Sequence, residues 1–344
     1  MNKVYLFHIY GPSSENHYKE HADNIRRLNP EKIFIWGDTE YCVDFILREF
    51  ITDITPWLEE NNKTITIIGV GFNRKITDNI VVDCGPGYYT TTYPHLTRLH
   101  GDKNFDDAII NSDKLFTLYC HRGTDYRAAI VDAVVRENLL IDGIVTYHGG
   151  CEDDLQYAWK YHDGSRLIDE EEFTYNAPEF DPLDFPKSYF RGLADIISET
   201  QILDGNYLPS EKTTKSVIAL KPFLVLSCTH YHRYLYEDFG IEMYDEIFDY
   251  SFDSMPDVND RIDGILENIK RLKCLSKQEI KDKIFDKLVR NKQKYLDYAD
   301  NFEKMFPQSL RFLIGNTDKY EIVGEQWGSF NTWLHMVEKK GWLK

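Results

Sequence analysis

Residues 115–147 open Leu115-Phe116-Thr117-Leu118-Tyr119-Cys120-His121-Arg122-Gly123-Thr124-Asp125-Tyr126-Arg127 and close on Gly143-Ile144-Val145-Thr146-Tyr147. Leu115 to Cys120 is an apolar run of strand length, and His121 to Thr124 carries the polar residues and the glycine of a turn. Tyr126, Ala129, Ile130, Ala133 and Val134 follow at spacings of three and four, which places them on one face of a helix. Gly143 to Tyr147 is the next strand. Strand, helix and strand in this order make a βαβ unit, whose crossover is right-handed almost without exception. Ligands of such sheets bind at the carboxyl ends of the strands, where His121, Arg122 and Arg127 fall. An arginine fork matches phosphate oxygens, so Arg122 and Arg127 are candidate phosphate clamps; salt bridges to Asp125 or Asp132 are the competing use.

Downstream, residues 198–227 place two carboxylates and a lysine around one predicted helix start. Ser210 is a good N-cap, Glu211 and Lys212 sit in the first turn, and Val217, Ile218 and Leu220 supply apolar surface before Pro222, the expected stop. Phe223 to Ser227 is then a short strand. Free N–H groups at the positive end of a helix suit a phosphate, and Lys212 adds a full charge there. Glu211 suits ribose hydroxyls instead. The element is therefore expected to hold a nucleoside diphosphate.

Glu199-Thr200, Ser210-Glu211-Lys212-Thr213, a helix and a short strand containing Pro222 together resemble the donor-binding segment of fucosyltransferase-like glycosyltransferases of the GT-B fold. The order is similar, more closely still, to glycosyltransferase-like proteins of bacteriophages and giant viruses. Those proteins carry an acidic and aromatic run that here reads Phe248-Asp249-Tyr250-Ser251-Phe252-Asp253, with tyrosine where an acid is usual, and a strand ending near His-Arg, matched by Leu118 to Arg122. The likeness covers roughly residues 114 to 300. It implies an α/β protein of two Rossmann-like domains facing a cleft, in a viral or bacterial setting. The implied activity is transfer of a hexosyl or deoxyhexosyl group from a nucleoside diphosphate sugar to a hydroxyl acceptor, a glycan in the first instance. The implied donor site is Arg122, Arg127, Glu199, Ser210, Glu211, Lys212, Thr213, His230 and Asp249. Hydroxymethylated bases in DNA are an alternative acceptor, and a non-catalytic nucleotide-binding protein is the alternative class.

The first half continues the α/β pattern. Val4 to His8, Ile33 to Trp36, Thr64 to Val70 and Ile80 to Val82 read as strands, with helix from His17 to Arg27, which implies a mostly parallel sheet. Gly85-Pro86-Gly87 and the run Tyr88 to Tyr93 read as a loop. At 344 residues the chain suits two domains. The expected division is an acceptor-side domain 1–112, a nucleotide-sugar domain 113–310 and a helical segment 311–344 packing back on the first domain. Ile262, Ile265, Leu266 and Ile269 give one helical stripe, Lys277 to Tyr298 a long charged helix, and Trp327, Phe330, Leu334 and Val337 a last amphipathic one. If the transfer inverts configuration, a carboxylate or histidine must take the acceptor proton from across the cleft. Asp38, at the end of the strand Ile33 to Trp36, is the first candidate, with His8 and Glu15 as rivals.

Composition bounds the partners. The net charge of −17 is opposite to what extensive phosphate contact requires, so nucleic acid is disfavoured as acceptor. A local basic set, Lys281, Lys283, Lys287, Arg290, Lys292 and Lys294, reads as one solvated helix face of mixed charge. Six cysteines without a Cys-x-x-Cys pair fit reduced thiols, and the apolar runs are too short for a membrane span or a signal peptide core. Cytoplasm, of the host if the protein is viral, is the expected location. No strand ends in Asp-x-Asp, and His230 and His232 flank Tyr231 with no third ligand nearby, so donor binding is expected to need neither metal nor other cofactor. The acids of residues 152–179 read as a surface insertion.

Overall fold

The computed structural model describes residues 2–9, 15–37, 48–69, 74–84, 104–120, 124–147, 185, 187–199, 202, 209–300, 309, 312 and 319–324. The chain forms two compact units, one from Met1–Thr91, Gly205–Leu208 and Asp300–Lys344, the other from Thr92–Asp204 and Pro209–Ala299. In the first unit β1 (Asn2–Ile9), α1 (Glu15–Leu28), β2 (Lys32–Gly37), α2 (Arg48–Glu60) and β3 (Ile65–Gly69) alternate, the three strands and α1 near their expected places and α2 a helix the sequence reading did not single out. A hairpin of β4 (Arg74–Thr77) and β5 (Ile80–Cys84) follows. Neighbouring strands set Tyr5 beside Ile33, Ile33 beside Ile65 and Ile65 beside Ile80, so one face of the sheet is a continuous apolar floor. Ala22 and Ile25 of α1 and Phe50, Ile54 and Leu58 of α2 pack into the same core. Inside it His21 stacks on Phe7 at 4.2 Å and its Nδ1 meets the Tyr5 hydroxyl at 2.8 Å, which satisfies both buried polar groups.

In the second unit α3 (Ala108–Asn111) precedes β6 (Lys114–Cys120), α4 (Asp125–Arg136) and β7 (Gly143–Tyr147), the βαβ unit expected. A 3-10 turn (Lys187–Arg191), β8 (Gly192–Ser198), α5 (Glu211–Ile218) and β9 (Phe223–Leu226) come next, then α6 (Tyr231–Phe239), a 3-10 turn (Tyr250–Ser254), α7 (Val258–Leu272) and α8 (Lys277–Asp300). The sheet is wholly parallel, in the order β7-β6-β8-β9. Every residue of β7, β8 and β9 is buried, as strands covered on both faces must be. Among the described residues no helix is long and apolar enough to cross a membrane.

Two sequence expectations are corrected. Helix α5 ends at Ile218, ahead of Pro222. The stop is a Schellman closure in which Lys221 N–H reaches Ser216 O at 3.0 Å and Leu220 takes φ +55°, a conformation usually left to glycine. Pro222 instead leads into β9, its carbonyl accepting from Asp195 N–H at 2.9 Å. The segment 311–344 is also not helical throughout, because Tyr320–Val323 is a strand, β10, lying parallel beside β1. Its β-branched Ile322 and Val323 fit a pleated ladder, and Phe312 just before it packs near Phe34 on β2, at 6.1 Å between ring centroids. The first sheet therefore runs β10-β1-β2-β3-β5-β4, parallel except for the β4–β5 hairpin. The expected helix around Trp327 to Val337 lies outside the described residues, as do Gly85 to Tyr93 and residues 152–179.

Four of the six basic residues of the set on α8 pair inside the unit. Lys281 pairs with Asp107 at 3.0 Å, Lys287 with Glu246 at 2.8 Å, and Arg290 and Lys294 converge on Glu242 at 2.9 and 3.0 Å. Hydrogen bonding from Arg290, opposed by partial burial, lowers the Glu242 carboxyl to about 2. A carboxyl held lower in the folded than in the unfolded state stabilises the fold above its ordinary value near 4.5, and that contribution is lost as pH falls toward 2. Acid unfolding should therefore have a limb between about pH 4.5 and 2 that Glu242→Gln flattens. The half-exposed partners limit the contribution to about 0.5–1 kcal/mol. Denaturant midpoints at stepped pH measure it, and an unchanged limb in the variant would refute the assignment.

Candidate functional site

In the second sheet β6 is followed by β7 on one side and paired with β8 on the other, so strand order reverses between β6 and β8. The carboxyl ends at that switch are Cys120 and Ser198, and a crevice there is the expected ligand position of an open α/β sheet. Arg127, one turn into α4 and 4% exposed, donates from Nη2 to Ser198 O at 3.3 Å. This hydrogen bond ties the start of α4 to the end of β8, a structural task for the residue the sequence offers as a phosphate clamp. Burial pushes the Cys120 thiol up to about 11, so it is protonated at neutral pH despite the nearby cations. His121 and Arg122 lie outside the described residues.

Glu199 follows β8 directly and is 1% exposed. Its Oε1 accepts three hydrogen bonds, from Ser210 N–H and Thr213 Oγ1 at 3.0 Å each and from the Tyr231 hydroxyl at 3.2 Å. Ser210 in turn caps α5 by accepting from Lys212 N–H at 3.2 Å. The N-cap is therefore where the sequence puts it, but the helix start is not a row of free N–H groups. Two of those donors are already engaged, so what the turn offers an anion is chiefly the Lys212 ammonium.

That ammonium sits 3.0 Å from Glu211 Oε1, 3.2 Å from Ser210 Oγ and 3.8 Å from Glu199 Oε2. Burial opposes its charge, yet Glu211 and Glu199 outweigh burial and raise its pKa. Glu211 shows the mirror effect, since burial raises its carboxyl but Lys212 brings it below the ordinary value. Both are therefore ionised at neutral pH. Lys212 is 28% and Glu211 26% exposed, whereas Glu199 lies beneath them. Among the described residues none donates a hydrogen bond to Glu199 Oε2.

A second carboxylate on β8, which sequence reading did not single out, fixes the other end of α5. Asp195 is buried at 3% and accepts from Ser216 Oγ at 2.6 Å, and also from Thr117, Tyr189 and the ammonium of Lys221. Lys221 is wholly buried, donates to Tyr189 O at 2.8 Å and lies 4.0 Å over the Tyr189 ring. Asp195 and Glu199 are four apart in sequence and share one side of the strand, while Thr213 and Ser216 share one face of the helix. Two carboxylates thus hold α5 antiparallel to β8 and fix where Lys212 stands. The signal in sequence is an isolated acid inside Gly192-Leu193-Ala194-Asp195-Ile196-Ile197-Ser198 and an isolated lysine before Pro222.

The other predicted residues make contacts of their own. His230 caps α6 in a left-handed conformation, φ +62°, its N–H donating to Asp253 O at 2.6 Å. His232 is buried, and its Nε2 accepts Val225 N–H at 3.0 Å. The proton is therefore on Nδ1, which donates to Asp253 Oδ1 at 2.7 Å. That pair covers a donor on the outer edge of β9, a structural task. Asp249 caps the Tyr250–Ser254 turn through Ser251 N–H at 2.9 Å, and its backbone is clamped by Asn268 of α7. The residue that the resemblance implies for the donor site is thus used here as a cap. In the first unit His8 is the penultimate residue of β1 and Glu15 the first of α1; Asp38 lies outside the described residues. No protein-family model matches the chain, and no curated protein or solved structure is significantly similar to it.

Proposed function

We propose that the chain is a glycosyltransferase of GT-B organisation that moves a hexosyl or deoxyhexosyl group from a nucleoside diphosphate sugar to a hydroxyl of a glycan, without a metal. The observation that carries this reading is the grouping of Glu199, Glu211 and Lys212 at the carboxyl end of β8, beside the point where strand order reverses. Carboxylates accept hydroxyl protons and an ammonium stabilises phosphate, which are the two halves of a nucleotide sugar. In the reaction the bond between the anomeric carbon and the diphosphate oxygen breaks, its electron pair leaving with the diphosphate. The acceptor oxygen bonds to that carbon through an oxocarbenium-like state. Lys212 stabilises the departing charge. The acceptor proton goes to a carboxylate or imidazole, for which Asp38, His8 and Glu15 are the candidates supplied by the sequence. Glycans are preferred to hydroxymethylated DNA because the chain is strongly acidic and its basic helix pairs internally.

A panel of nucleotide sugars is first screened for thermal stabilisation, and each one that binds is then incubated with saccharides or with hydroxymethylated DNA. Saccharide-dependent release of nucleoside diphosphate that survives a chelator is the expected result. Stabilisation without release under any acceptor supports a binding protein instead, and complete, metal-reversible loss of release with chelator counts against metal independence.

A further inference from the structure

Glu199 divides its carboxylate unequally. Oε1 is saturated by three donors, while Oε2, also buried, has none among the described residues. At 3.8 Å the Lys212 ammonium is too far for a hydrogen bond, and it is already donating to Glu211 and Ser210. A buried charged oxygen without a donor is unfavourable and calls for an occupant. The side of Glu199 that lacks one faces Lys212, whose side chain reaches solvent. Oε2 thus lies one side chain below the surface, under the Lys212 ammonium, a group that attracts phosphate. Drawing the ammonium toward an anion uncovers Oε2 and simultaneously removes its nearest positive charge. A bare anion therefore leaves the site worse compensated than before, whereas a ligand that brings a hydroxyl with its phosphate repairs it.

We propose that Glu199 Oε2 accepts a ligand hydroxyl, so that the site selects a hydroxylated phosphate, the ribose or transferred-sugar end of a nucleotide sugar, over a phosphate alone. The inference rests on the nucleotide-sugar reading and adds to it a second specificity residue beneath Glu211 and Lys212. A hydrogen bond to a charged acceptor makes the expected discrimination about ten- to a hundredfold in affinity.

Calorimetry on the wild-type chain tests it from the ligand side. The probes are the ribonucleoside diphosphates of the four common bases, their 2′,3′-dideoxy counterparts, inorganic pyrophosphate, and nucleotide sugars with single sugar hydroxyls removed. Pyrophosphate and either the dideoxy nucleotides or the deoxysugar donors should bind about ten- to a hundredfold more weakly than the parent ligand. The series that weakens identifies ribose or transferred sugar as the source of the hydroxyl. Glu199→Gln, which keeps an acceptor at Oε1 and puts an amide donor at the other position, should erase that ratio. Parent and deoxy ligands binding alike to the wild type, or a ratio that survives in a folded Glu199→Gln chain, overturns the inference while leaving the nucleotide-sugar reading intact. Failure of every nucleoside diphosphate and nucleotide sugar to bind overturns both.

Discussion

Replacing Lys221 with methionine should cost the second unit about 3–5 kcal/mol, because it strands the Asp195 carboxylate in the core without a cation. Burial works against the charge on Lys221 and holds its pKa below the ordinary 10.5, with Asp195 opposing that trend. The pair persists because its surroundings are saturated: Thr117, Tyr189 and Ser216 all donate to the same carboxylate, and Tyr189 O takes another ammonium proton. Removing both charges is a milder change than removing one, so Asp195→Asn combined with Lys221→Met should recover much of the loss. Denaturant unfolding of both single variants and the double variant measures the coupling, with hydrogen exchange at β8 and α5 localising it to the second unit. Additive losses would mean that the two charges act independently and that packing alone holds α5.

The same residues show where sequence reading succeeds and where it stops. Local signals sufficed for the βαβ unit, since the apolar run Leu115 to Cys120 and the helical spacing of Tyr126, Ile130 and Ala133 need no distant partner. Ser210 declared itself as a cap for the same reason. The end of α5 did not, because nothing in Leu220 itself announces a left-handed residue, and Pro222 offered a plausible but later stop. β10 was missed because a four-residue strand gains its ladder only from β1, some 300 residues away. The residues proposed for the donor site sort in the same way. Glu199, Ser210, Glu211, Lys212 and Thr213 are one contiguous group, but how Glu199 uses each oxygen depends on Tyr231 and on the packing of α5, which no spacing encodes. The task of His232 and Asp253 depends on the edge of β9, whose backbone donor they cover and which no local spacing announces.

Lys212→Ala and Glu211→Gln should change ligand affinity in opposite directions for a bare anion, though both damage a nucleotide site. In the folded chain Lys212 already serves two carboxylates, so a phosphate must compete with Glu211 at 3.0 Å and Glu199 at 3.8 Å for its charge. Alanine at 212 removes the ammonium of that turn and leaves two carboxylates to repel a phosphate. Nucleoside diphosphate should then bind about ten- to a hundredfold more weakly, the loss of one charge-assisted contact or more, while the uncharged nucleoside changes about twofold at most. Glutamine at 211 keeps the shape but releases the ammonium, so pyrophosphate should bind more tightly than to the wild type. The same variant should bind nucleoside and monophosphate more weakly, because an ionised acceptor for hydroxyls has gone. Calorimetry with nucleoside, monophosphate, diphosphate and pyrophosphate on both variants separates these effects. Equal losses across all four ligands for Lys212→Ala, or weaker pyrophosphate binding in Glu211→Gln, would mean that the pair serves the fold of α5 and that the phosphate lies elsewhere.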